Sequence, residues 1–183
     1  MNPKEFDVSA WLGRRASGGD QLSRDALNAV AAFTTMWNMF ENSLCDNQAS
    51  IATFENLSHR YRPDRASNSV KESLAACLAF WQFRYRDAEG IGSRFSHLHF
   101  RRGDRQELVE AVLLGTVTED ARKLLALLII VYRLRNNLFH GLKSVAILND
   151  QVHNLNTASQ LLAAVLEAIP SEFIALRFGA IEA

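Results

Sequence analysis

Proline is scarce in this chain of 183 residues, and its three occurrences, at positions 3, 63 and 170, all fall outside the stretches of periodic apolar residues. Long helices are therefore uninterrupted, since an interior proline removes a backbone donor and clashes with the preceding turn. Cysteine is nearly absent. Cys45 and Cys77 stand far apart in apolar, helical contexts, which excludes a disulfide framework and fits buried thiols in a reducing compartment. An excess of charge is missing too, because 20 basic and 20 acidic residues cancel. That excludes a whole-molecule field of the kind that coats DNA, so any nucleic-acid contact has to be local. The longest apolar run, Leu124 to Tyr132, is about half of what a bilayer crossing needs. Met1 to Arg15 lacks an apolar core, so a secretory leader is not expected, and the protein is expected to be cytoplasmic with no membrane association.

What is present is an ordinary globular composition, 48% hydrophobic, in a chain long enough to bury one core. Arginine dominates the basic residues, 16 against 4 lysines, and its planar fork suits phosphate and base stacking, although some compositions are simply arginine-rich. Residues 1–22 read as an N-terminal arm, 23–170 as a helical domain and 171–183 as a tail. A first long helix is predicted from about Ser23 to Cys45, with Leu27, Val30, Phe33, Trp37, Phe40 and Leu44 at three- and four-residue spacing. A shorter helix follows over Ile51–Leu57, then a second long one over about Ser69–Arg86. Residues 90–103 read as a loop and Asp104–Leu114 as a short helix. Thr118-Glu119-Asp120 opens a long helix that stops at Gly141, and the last helix covers about Asn149–Ala168. No strand alternation appears, except that Phe173–Phe178 suits a short extended tail. Repeats and low-complexity segments are absent.

The helix opened at Thr118 carries the functional argument. On a wheel of about 100° per residue, Leu124, Leu127, Val131, Leu134 and Leu138 form one core stripe. The neighbouring arc holds Leu125, Leu128 and Ile129, then Tyr132, Arg135, Asn136, Phe139 and His140. A helix apolar on both faces is either central or buries its second face against a partner. The expectation favoured here is a homodimer through the 125–140 helix face, with a cleft where the seam turns polar. Arg133 and Asn137 project to the other side. His140 and Gly141 also read simply as a helix cap, and Arg-x4-His means little alone: Arg94 and His99 repeat it in the loop.

The fuller pattern is more specific: a long apolar helix, then Tyr-Arg-Leu-Arg-Asn-Asn-Leu-Phe-His-Gly, a short loop and a final amphipathic helix. It resembles the HEPN superfamily, in its Apea-like form, where an Arg-Asn-x-x-x-His signature closes the penultimate helix. The resemblance covers about Glu119 to Ala168, and upstream it extends to the length and number of helices. It implies an all-α, HEPN-like helical bundle with four core helices plus short extra ones. It also implies a metal-independent endoribonuclease whose motif residues fall on Arg135, Asn136 and His140. Trp37-Asn38-x-Phe40-Glu41 is similar to the polar position that some members place near the motif, making Glu41, with Tyr132, a supporting candidate.

The implied chemistry is coherent with these residue types. Cleavage of RNA by its own 2′-hydroxyl needs a proton acceptor near neutral pH, which imidazole supplies. It also needs a cation on the phosphate, which Arg135 offers bidentately. Asn136, one turn before His140, is able to orient the ring or the phosphate. No metal-ligand spacing occurs, so no metal or cofactor is expected. The basic-aromatic stretches, among them His99-Phe100-Arg101-Arg102, suggest Arg101 and Arg102 as substrate contacts, although such stretches also read as solvated turns. The resemblance further implies a toxin or antiviral defence effector with a separately encoded antitoxin or regulator. The alternative is a non-catalytic HEPN module for dimerisation and for binding a partner or nucleotide.

Overall fold

The computed structural model describes residues 6–139 and 144–170; His140, Gly141 and the predicted tail, including the extended stretch at 173–178, lie outside the described residues. The architecture is all-α. Helices α1 (Val8–Arg15), α2 (Arg24–Cys45), α3 (Ile51–Arg60), α4 (Asn68–Tyr85), α5 (Gln106–Leu113), α6 (Asp120–Phe139) and α7 (Val152–Ala168) follow one another in chain order. Between α4 and α5 the predicted loop contains a two-residue antiparallel hairpin, Arg86–Asp87 with Gly90–Ile91, and a 3-10 helix at Ser93–Leu98. A second 3-10 helix, Val145–Gln151, leads into α7.

The helix starts follow from local chemistry. The hydroxyls of Ser23, Ser50 and Ser67 accept from the backbone N–H of Ala26, Thr53 and Val70, so α2, α3 and α4 each begin on a serine cap that satisfies one otherwise orphaned donor. Asp7 does the same for α1. Side chains also close gaps between elements. The Gln82 amide of α4 donates to the Leu113 carbonyl at the end of α5 (3.1 Å).

The long helices α2 and α7 pack along each other, α4 packs on α7, and α6 lies against α3 on one side and α5 on the other. Every residue from Leu124 to Val131 is buried. This corrects the reason for expecting a dimer along this helix: Leu125, Leu128 and Ile129, the supposed partner-facing residues, are 6%, 1% and 0% exposed within one chain. The helix is apolar on both faces because it is central, and helix α3 and the α2 aromatic residues cover its second face.

The N-terminal arm is tied down rather than trailing. Asn149 accepts from the Ser23 N–H and donates to the Gln21 carbonyl, and Val145 N–H and the Ser144 hydroxyl both donate to the Ser17 carbonyl. Gly18, at φ +72°, sits where a Cβ would fall 2.3 Å from the Ser144 hydroxyl oxygen, so only glycine fits that turn. No helix among the described residues is long and apolar enough to cross a membrane.

Candidate active site at the end of helix α6

The last two turns of α6 carry polar residues on opposite sides. On one side, Arg133 is 2% exposed and enters a ring of acceptors: its Nη1 lies 3.1 Å from Asp104, its Nε donates to the Leu98 carbonyl (3.0 Å), and its Nη2 donates to the His99 carbonyl. Burial pulls this guanidinium below its ordinary value, with Asp104 opposing and Arg101 adding to the shift. Asp104 also accepts from the Arg101 N–H (2.7 Å). One turn on, Asn137 donates to the carbonyls of His97 and Leu98 (2.9 and 3.2 Å). Arg133 and Asn137 therefore hold the 93–104 loop, and their donors are already occupied by structure. Asp104 does not begin a helix, as its sequence context suggests; it serves this ion pair, and α5 starts two residues later.

Around the helix by about 200°, Arg135 belongs to a different assembly centred on Trp37 of α2. The indole is buried, lies 6.1 Å from the Tyr132 ring at an interplanar angle of 25°, and donates through Nε1 to Glu41 at 2.7 Å. The Arg135 guanidinium carbon sits 5.6 Å from the indole centroid, and Nη1 of the same side chain donates to the Asn136 amide oxygen at 3.3 Å. Tyr132 is held from its other side by Phe54 of α3, edge-on at 5.4 Å. A cation within about 6 Å of a desolvated indole gains about 1–2 kcal/mol.

Three of the predicted residues, Glu41, Tyr132 and Arg135, are thus brought together by Trp37, and the fourth, Asn136, joins them through Arg135. The sequence places Trp37 among the apolar positions of the first long helix and within the stretch Trp37-Asn38-x-Phe40-Glu41, with no role of its own at the site. Its i, i+4 spacing from Glu41 was the available signal, since such pairs share a helix face. His140 lies outside the described residues. The helix backbone is continuous through Phe139, so no helix end falls between Arg135 and Phe139. Arg101 and Arg102 are exposed on the loop clasped by Arg133, across the helix from Arg135. Among the described residues no three His, Cys, Asp or Glu side chains cluster to hold a metal ion.

The fold and site together define an all-α bundle that presents an oriented arginine and a buried amide at the end of its central helix. Compared with known proteins, the chain matches no family model, no curated protein and no solved structure.

Proposed function

We propose that the chain is a metal-independent endoribonuclease of the HEPN type. The observation that supports this reading best is the gathering of Glu41, Tyr132 and Arg135 around one indole at the end of α6, with Asn136 bonded to Arg135. Arg133, two residues away, is engaged in holding a loop, whereas Arg135 is half-buried, lies over the Trp37 ring and bonds the neighbouring Asn136. An arginine oriented in this way suits a phosphate whose charge grows during reaction.

In this reading His140 accepts the proton of the 2′-hydroxyl. The O2′–phosphorus bond forms, the phosphorus–O5′ bond breaks, and the departing oxygen takes a proton from solvent, leaving a 2′,3′-cyclic phosphate and a 5′-hydroxyl. Arg135 holds the non-bridging oxygens and Asn136 positions the arginine fork. Arg135 and His140 are five residues apart, about 140° on an ideal helix. The reading therefore includes a homodimer in which two copies meet at the ends of their α6 helices and complete each other's site, with the Leu125–Ile129 face left inside each chain. A toxin or antiviral defence role, restrained by a separately encoded antitoxin or regulator, belongs to the same reading.

Purified protein is expected to cut single-stranded RNA in the presence of EDTA, and both His140→Ala and Arg135→Ala to abolish cutting while circular dichroism still shows a folded helical protein. If His140→Ala cuts as well as wild type, the site assignment is wrong.

A further inference from the structure

Helix α7, with the turn that leads into it, runs antiparallel to α4 in a steady register. Arg84 of α4 contacts the Asp150 carbonyl and the Cys77 thiol contacts the Thr157 carbonyl, so seven residues back along one helix match seven forward along the other. Carried to the end of α7, this register brings Pro170 level with the turn that precedes α4. The Arg60 side chain agrees, since its Nη2 donates to the Pro170 carbonyl at 3.0 Å. Ile169 is fully buried and Pro170 is exposed. The chain therefore reaches the surface at one defined point, beside the end of α3.

A pocket of about 500 Å³ starts at that same point and runs as a groove between α4 and the first two turns of α6. Tyr61, the residue after Arg60, and Pro63 form its near end. Leu124 and Leu127 of α6 form its floor. On α4, Leu74 and Leu78 are half-buried and Ala75 is exposed, so an apolar strip faces solvent along the helix. The charged residues of the lining are Asp64, Lys71, Asp120 and Lys123, two of each sign, and Asp120 and Lys123 lie 3.5 Å apart. A rim without net charge gives a polyanion such as RNA no footing. It suits an occupant that is itself neutral and mostly apolar.

The sequence that follows Pro170 has those properties. Residues 171–178 read Ser-Glu-Phe-Ile-Ala-Leu-Arg-Phe, with one acid and one base. In extended form Ile174, Leu176 and Phe178 fall on one side. At 3.3 Å per residue those three span about 13 Å, and the α4 strip from Lys71 to Leu78 runs about 10 Å at 1.5 Å per residue. A tether of three residues, 171–173, joins Pro170 to Ile174. A tether that short holds the segment over the groove at a millimolar effective concentration.

We propose that residues 171–178 dock in extended form in the groove between α4 and α6 of their own chain, with Ile174, Leu176 and Phe178 against Leu74, Leu78, Leu124 and Leu127. The proposal stands apart from the ribonuclease reading, since it uses neither Arg135 nor His140.

The test is limited tryptic cleavage after Arg177 in the full chain, followed by mass spectrometry and compared with a synthetic peptide of residues 171–183. A protease cuts only the undocked population, so the chain is expected to be cut at least about tenfold more slowly than the peptide when nine molecules in ten are docked. Ala75→Glu puts a charge in the groove at an exposed helix position, and it is expected to raise the rate to that of the peptide while the bundle melts normally. Ile174→Asp, compared with a peptide carrying the same change, is expected to do the same from the side of the segment. The proposal is overturned if Arg177 is cut as fast in the chain as in the peptide, or if both variants keep the wild-type protection. Protection that disappears on dilution overturns it too, because the groove then holds the segment of a second copy.

Discussion

Arg133 and Arg135 are the same residue type two positions apart, and the fold assigns them opposite tasks. Removing Arg133 strands Asp104 and two loop carbonyls inside the protein. Arg133→Ala is therefore expected to cost about 3–5 kcal/mol in urea unfolding, the usual result of breaking a buried ion pair from one side. Arg135→Ala gives up its stack on Trp37 and its hydrogen bond to Asn136 and is expected to cost less than Arg133→Ala, about 1–3 kcal/mol. Equal losses for the two variants would contradict the division of labour described here. A second residue-scale prediction concerns pH. Burial pushes the Cys45 and Cys77 thiols from 9.0 up to about 12, with Glu41 and then Asp46 adding at Cys45, and burial likewise raises Tyr85 from 10.0 to about 12. The folded protein keeps protons that the unfolded chain releases near its ordinary values. This contribution to stability is complete below about pH 9 and is lost as pH rises from there towards 12. The urea midpoint is expected to fall between pH 9 and 11, and neither thiol to react with a disulfide reagent at pH 8 until denaturant is added.

Among the elements, α6 and the N-terminal arm show how differently two segments are held. Helix α6 is enclosed by its own chain, so Leu128→Glu places a charge where the side chain is 1% exposed. It is expected to cost at least about 4 kcal/mol and to leave no folded monomer. If Leu128→Glu instead yields a folded monomer from a wild-type dimer in sedimentation, that face is an interface after all. The arm is fixed by a handful of polar contacts, two of them through Asn149. Asn149→Ala is expected to weaken the docking of the arm alone, by about 1–3 kcal/mol, and so to speed tryptic cleavage at Arg14 and Arg15 of α1 without changing the melting of the bundle much.

For the whole molecule, a net charge of zero means that RNA affinity, under the proposed function, comes from a few local cations. The slope of log affinity against log salt is then shallow, and Arg135→Ala is expected to reduce it by about 0.7, one phosphate contact on a single strand. An unchanged slope would place the phosphate elsewhere. How much of this was legible beforehand depends on the range of the interaction. The helices were readable from apolar spacing because it acts within a few residues, and α2, α4 and α7 fall close to where that signal puts them. The grouping of Arg135, Asn136 and Tyr132 on one arc follows from helix geometry alone. The wheel could not say which element covers that arc, since a helix apolar all round satisfies its burial equally well against its own chain or another's. Only tertiary packing decided that α3 and Trp37 do so, that Asp104 leaves its helix to neutralise Arg133, and that Leu74 and Leu124, 50 positions apart, line one pocket. Local sequence determined the elements because their energetics are local. The cover, the ion pair and the pocket join residues distant in the chain, and no short-range pattern encodes such meetings.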